Sequence, residues 1–331
     1  MNRQFPDWPI MRPAGALPMT GLGRDEYIMN LKINPISSLY DLKKTHDIQR
    51  VTWGYRDEMI FPYTIMTSTR HSGGVLLGAY IDDNLVGFLY GYLGMGGGSL
   101  YLFSQRMGIL PEYQGRGIGT ALKLAQREQM LRQGIDLVVW TYEPLAGASA
   151  RLNIEKLGGI VRTYVRDIYG IMENPLQAGL AMDRLLIEWH LMSDRVRTRV
   201  GGHVEQPSLR EWLEEKKYPV INFANWKDKL PRPIAVDLEL DDKVLLVQVP
   251  PDLQAIKKRD LSIARGWRIT TRSIFEAYFR RGYVITGFAG AKKSNSFNTY
   301  KLEHKPFPST VDFSSWATGL EDDLEDEQER N

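Results

Sequence analysis

The sequence reads as an α/β (α+β) protein: a mixed, mostly antiparallel sheet flanked by helices, followed by a second, smaller α/β domain. Three observations lead there. Apolar runs of strand length at Gly74–Ile81 and Leu85–Leu93 are joined by Asp82-Asp83-Asn84, the composition of a hairpin turn. Later apolar runs of the same length alternate with segments of helical periodicity. The 331 residues, 43% hydrophobic, exceed one ordinary domain and supply cores for two.

In order along the chain, residues 1–28 hold Pro6, Pro9, Pro13 and Pro18 with Gly15, Gly21 and Gly23, which break helix and strand periodicity alike, so an extended arm is expected. Met29–Ile33 reads as a short strand, and Ser37 or Ser38 as the cap of a helix reaching about Trp53, with Leu39, Leu42 and Ile48 on one face. After the hairpin, Met95-Gly96-Gly97-Gly98 leads into a strand at Leu100–Ile109. Those glycines could cradle a phosphate, but no helix follows them, and a hairpin turn is the preferred reading. A helix carrying Leu122, Leu124, Ala125 and Leu131 is closed by Gly134. Leu137–Trp140 is a buried strand, Ala148–Leu157 a helix ended by Gly158-Gly159, and Ile160–Tyr169 a strand. A connection over Met172–Met182 precedes a strand at Leu185–Met192. The pattern changes near Val196. Strands are expected at Val220–Phe223, Ile234–Leu240, Val244–Val249, Tyr283–Phe288 and Thr299–Leu302. Asp260–Arg281 is an amphipathic helix with Ile263, Trp267, Ile274 and Tyr278 inward. The expected organisation is therefore an arm at 1–28, a first domain at 29–195, a second at 196–313 and a tail at 314–331.

Composition narrows the chemistry. The chain has no cysteine, which excludes a thiol nucleophile, disulfides and thiolate metal sites. No run approaches the roughly 18 apolar residues of a membrane span, and no secretory signal pattern opens the chain, so a soluble cytoplasmic protein with no membrane partner is expected. The net charge of +2 is uneven, because Glu321–Asn331 holds seven acidic residues against Arg330 alone. With one apolar residue, Leu324, that tail is expected to stay solvated and disordered. His46, His71, His190, His203 and His304 show no ligand spacing, and no metal is implied.

The segment that carries chemistry is Gln114-Gly115-Arg116-Gly117-Ile118-Gly119, set between a strand and a helix. Such a turn points unpaired backbone N–H groups at an anion from the positive end of the helix. Glycines remove the Cβ atoms that would keep a pyrophosphate away, Arg116 adds charge, and Gln114 can brace the loop. The spacing lacks the Gly-Lys-Ser/Thr of a nucleotide P-loop and the downstream acid of a dinucleotide site. A purely structural glycine turn is the alternative.

At these residues the chain resembles the GNAT N-acetyltransferase superfamily, whose signature is Gln/Arg-x-x-Gly-x-Gly/Ala. The likeness extends to Met107-Gly108-Ile109-Leu110-Pro111 and to the element order from Met29 to about Arg195. Trp140–Leu145, Leu152–Gly158 and Asp183-Arg184-Leu185 further resemble a branch with an additional C-terminal domain. The resemblance implies acetyl-CoA as co-substrate. It implies pantetheine bonding near Met107–Ile109, pyrophosphate bonding by the amides of Gln114 to Thr120 (Gly115, Gly117 and Gly119 among them), and strands that splay to bring Trp140–Glu143 beside the reacting carbon. It implies transfer to an amine by direct attack, the acceptor being a small amine or amino acid. A longer acyl group, and a CoA-binding module without catalysis, stay open.

The chain departs from that pattern twice. Where many relatives carry a tyrosine four residues before the glycine that ends the helix, this sequence has Ile154. The strand at Leu100–Ile109 has no Glu or His, offering Ser104, Gln105 and Arg106. Glu143 is the candidate base, with Tyr142 and Ser104 as further catalytic candidates; Tyr142, Tyr164 and Asn153 could stand in for the missing tyrosine, and Asn153 is also placed with the cofactor-binding set. Arg265, Arg268 and Arg272 share one helix face behind Lys257, Lys258 and Arg259. A solvated face is expected there, with an acidic substrate, a CoA phosphate or nucleic acid as alternatives. A small-molecule acceptor is the expected partner rather than nucleic acid, and a homodimer is allowed.

Overall fold

The computed structural model describes residues 30–170, 179–202, 208–293, 295–307 and 311–317. The expected arm at 1–28, most of the connection over Met172–Met182, His203 and the acidic tail at Glu321–Asn331 lie outside these residues. The described chain forms two compact units. One comprises the described residues up to Tyr92 with Arg106–Gln129, the other Leu93–Gln105 with those from Met130 onward.

In the first unit, β1 (Lys32–Pro35) precedes α1 (Leu39–Trp53), whose cap is Ser38: its hydroxyl accepts from the Asp41 amide, and Gly54 ends the helix at φ 67°. A second helix, α2 (Tyr63–His71), had no clear signal in the sequence because its apolar face is carried almost entirely by Met66. Next come β2 (Val75–Ile81) and β3 (Asn84–Gly96), antiparallel across the expected hairpin. Asp82 and Asp83 stand at φ 47° and 61°, the left-handed pair that such a turn requires. β1 pairs antiparallel with β2, giving the order β1-β2-β3. Ile36, Ile48, Met66, Leu76 and Phe88 pack as the core beneath. β4 (Ser99–Ile109) brings its last residues into this unit, and α3 (Ile118–Arg132) its first turns.

The second unit is built on the order β4-β5-β7-β6-β11-β12-β10. Here β5 (Leu137–Tyr142) runs parallel to β4 through two registered pairs, Leu102↔Val138 and Phe103↔Val139. The short helix α4 (Gly147–Ala150) continues as a π-helical turn over Arg151–Lys156, and Gly158 reverses the chain at φ 78°. β6 (Ile160–Val165) and β7 (Arg184–His190) follow, then α5 (Asp194–Val200). β8 (Asn222–Lys227) and β9 (Leu230–Val236) form a separate hairpin. The sequence places that second strand later because the turn, Asp228-Lys229 at φ 53° and 60°, contains no glycine, and Pro231 and Pro233 read as breakers although a two-stranded ribbon accommodates them. β10 (Val244–Val249), α6 (Leu253–Arg259), α7 (Leu261–Arg280), β11 (Tyr283–Ala289) and β12 (Asn298–His304) complete the unit.

β6 meets both β7 and β11 antiparallel, so strands on either side of residue 196 share one sheet. Ile263, Trp267, Ile274 and Tyr278 of α7 are buried as expected. The sheet is mixed and mostly antiparallel, β4–β5 being parallel, and helices flank it. No helix among the described residues is long and apolar enough to cross a membrane.

Candidate functional site

In the first unit the chain leaves β4 through a single helical turn, Pro111–Tyr113, and enters α3 at Ile118. Gly115 stands at φ 76° and Gly117 at φ 85°, conformations that cost other residues about 1–2 kcal/mol. A Cβ at Gly115 would meet nothing within 4 Å, so it is the backbone angle and not crowding that calls for glycine there. The Gln114 amide donates to the Ile109 carbonyl at 2.9 Å, bracing the loop as the sequence led us to expect, and the Thr52 hydroxyl donates to the same carbonyl. Ile118 is buried and anchors the start of α3, while Gly119 and Thr120 are partly exposed on its first turn. The N–H groups of that turn have no partner within the helix. Arg116 is exposed and lies over the Tyr113 ring, 5.6 Å from its centre. The result is an open, glycine-lined, positively polarised turn. On β4 itself, Met107 and Ile109 flank Gly108, where a Cβ would press on Phe88, Ile48 and Trp53. Glycine lets α1 close against the strand at that point.

In the second unit, Glu143 follows β5 directly. Its carboxylate accepts from the Arg268 guanidinium and from the Leu145 amide, and lies 3.5 Å from Arg184. The Arg268 side chain is 4% exposed. Burial opposes its charge, but the Glu143 carboxylate raises its pKa above the ordinary arginine range. One turn along α7, Arg272 forms a two-point pair with Asp183, both bonds 2.8 Å, and the Tyr164 hydroxyl donates to Asp183 at 2.6 Å. Burial pushes the Asp183 carboxyl up, yet the hydrogen bonds from Arg272 and Tyr164, with the nearby arginines, carry it below its usual value. The expectation of a solvated face on α7 is therefore corrected for two of its three arginines: Arg265 is exposed, whereas Arg268 and Arg272 pair with the partly buried Glu143, just after β5, and the fully buried Asp183, just before β7. The sequence holds the matching i, i+4 spacing, but the partners are more than 80 residues away.

Tyr142 is buried and donates its hydroxyl to Tyr300, which donates to the Pro144 carbonyl at 2.7 Å; burial raises its pKa. Ser104 is buried on β4 and Asn153 in the π-helical turn; Ile154, beside Asn153, is fully buried.

Residues 41–158 match the sequence model of the Acetyltransferase (GNAT) family, a span that contains the glycine loop, β5 and Glu143. Those residues carry a GNAT acetyltransferase domain. No curated protein matches the chain. Solved structures similar to it include the ribosomal-protein-S18-alanine N-acetyltransferase from Escherichia coli, 14% identical with a TM-score of 0.40, over 49% of this chain and 95% of that one. Naa50 from Arabidopsis thaliana, in complex with a bisubstrate analogue CoA-Ac-MVNAL, is 16% identical with a TM-score of 0.38, over 48% and 97%. The PaiA N-acetyltransferase from Thermoplasma acidophilum, in complex with coenzyme A, is 18% identical with a TM-score of 0.36, over 49% and 99%. Within the GNAT domain, the glycine loop occupies the turn between β4 and α3.

Proposed function

We propose that the chain transfers the acetyl group of acetyl-CoA directly to the amine of a small-molecule acceptor. The observation that carries this reading is the Gln114–Gly119 turn, with left-handed glycines at 115 and 117 opening α3 inside the GNAT domain. Its free N–H groups suit the pyrophosphate of CoA, and Met107 to Ile109 suit the pantetheine arm. In the transfer a bond forms between the amine nitrogen and the acetyl carbon, the carbon–sulfur bond breaks with its electron pair on sulfur so that CoA leaves as a thiolate and takes up a proton, and the amine proton leaves to a base. Glu143 is the base in this reading, with Tyr142 and Ser104 as alternates and Asn153 as a contact to the cofactor. Calorimetry with CoA, followed by turnover of acetyl-CoA against a panel of amines, tests it. CoA affinity with amine-dependent release of CoA is the expected result, and no CoA binding by the intact chain would refute it.

A second reading is a CoA-binding module without catalysis. It is favoured by the two arginines that engage Glu143 and by the buried isoleucine at position 154. CoA binding without turnover of any amine, or with turnover only of longer acyl-CoA donors, would move the assignment accordingly.

A further inference from the structure

Arg106, on the last part of β4, is set in a frame of aromatic rings that no step above uses. Its guanidinium carbon lies 5.6 Å from the ring centre of Trp53, 5.2 Å from Tyr55 and 5.6 Å from Phe61. The frame is built into the end of α1. Gly54 turns the chain so that Tyr55 falls beside Trp53, their ring centres 5.4 Å apart. Fully buried Gln49 clamps Phe61 by accepting from its amide at 2.9 Å and donating to its carbonyl at 3.2 Å. Phe61 leans in turn on Tyr90.

A guanidinium surrounded by aromatic rings keeps its N–H edge for a ligand, because the rings offer it no conventional hydrogen-bond acceptor. Here that edge is unclaimed. Arg106 makes no hydrogen bond or ion pair among the described residues, and its Nε is buried without a partner. The acids that follow α1 are committed elsewhere, Asp57 to Arg50 and Glu58 to Arg56. A cation with part of its hydration removed and no counter-ion is a site for a planar anion, because a carboxylate satisfies two N–H groups of the fork at once.

Position selects the source of that anion. Along β4 the pantetheine segment Met107–Ile109 and the pyrophosphate loop follow Arg106, so an extended cofactor lying along them has its phosphates at the far end and its thioester toward Arg106. We infer that Arg106 anchors a carboxylate carried by the acceptor, which makes the acceptor an amino acid or another amine bearing a carboxylate. The inference rests on the acyl-transfer reading above and adds a specificity residue to it.

The experiment compares free amino acids with their carboxamides, for example alanine with alaninamide and phenylalanine with phenylalaninamide, on the CoA-loaded protein. Binding is followed by calorimetry and turnover by release of CoA from acetyl-CoA. The wild type should favour the acid over its amide by about tenfold or more, the discrimination of a charge-assisted pair. Arg106→Met should bring that ratio to about one through a rise in KM for the acids. Arg106→Lys, which keeps the charge but not the planar fork, should retain part of it. CoA binding and melting temperature of both variants serve as the fold control. No acid preference in the wild type by either measurement, including no binding of any amino acid, overturns the inference, as does a preference that survives in Arg106→Met. CoA binding with turnover of neutral amines alone would sink the anchor and leave acetyl transfer standing, whereas failure of the wild type to bind CoA removes both.

Discussion

Glu143 neutralises a buried arginine, and the proposed reaction would also have it accept a proton. Its contacts with Arg268 and Arg184 fix the carboxylate in place, and the Leu145 amide takes one of its oxygens. Glu143→Gln keeps the shape and removes the charge. We expect kcat/KM to fall about 10²-fold while CoA affinity holds, as for loss of a positioned base. Full activity in that variant would return the carboxylate to a structural role and direct the search to Tyr142 and Ser104. Asp183 shows the same economy in stability. Its side chain is fully buried, and its pKa is lowered in the folded state because Arg272 and Tyr164 hold the charged form against the cost of burial. The folded protein therefore binds this proton less readily than the unfolded chain. The stabilisation is complete above the ordinary carboxylate pKa of about 4, and it is lost as pH falls through the lower folded value. Asp183→Asn should cost about 3–5 kcal/mol near neutral pH, as for a broken buried pair, and the gap to wild type should narrow below about pH 4. Urea unfolding at several pH values measures it; a gap independent of pH would mean that packing, not charge, is what Asp183 supplies.

At the scale of elements, the strand-turn-helix at β4 and α3 separates backbone strain from ligand obstruction. Gly117 has a left-handed backbone, and Gly119, inside the helix, does not. Gly117→Val should therefore lower the melting temperature as well as abolish CoA binding. Gly119→Val should abolish CoA binding with a smaller effect on melting, because its backbone needs no left-handed angle and the proposed phosphate site lies at this first helical turn. Unchanged CoA affinity in both variants would remove the loop from the site. The π-helical turn at Arg151–Lys156 carries a related lesson. The Leu157 amide donates to the Leu152 carbonyl five residues back, so the backbone runs here at the π period and not the α period. One π period before Gly158 stands Asn153. Nothing in the composition of Leu152–Gly158 announces that change of period.

For the whole molecule, the sheet of the second unit shows why the segment after residue 196 cannot be treated as an appendage. β6 is hydrogen-bonded to β11, Arg268 and Arg272 of α7 neutralise Glu143 and Asp183, and Tyr300 of β12 closes the chain from Tyr142 to Pro144. A chain ending at residue 200 would leave the buried Asp183 without Arg272, Glu143 with Arg184 but without Arg268, and one edge of β6 unpaired. We expect residues 1–200 to aggregate or to melt without a cooperative transition. A soluble fragment with a sharp transition and CoA affinity would show that the rest is dispensable.

Local features were legible from residues alone. The Ser38 cap, the Asp82-Asp83 hairpin, the buried face of α7, the Gln114 brace and the glycine loop all follow from side chains a few positions apart, where propensity and hydrogen bonding act at short range. What the sequence left open were the long-range pairings: Glu143 with Arg268, Asp183 with Arg272, and Arg106 inside its aromatic frame. Their members are separated by 125, 89 and about 50 positions. A guanidinium on an amphipathic helix looks the same in sequence whether it faces water or a buried carboxylate. Only the packing of distant strands sets the burial, and burial is what turns a surface charge into part of a site.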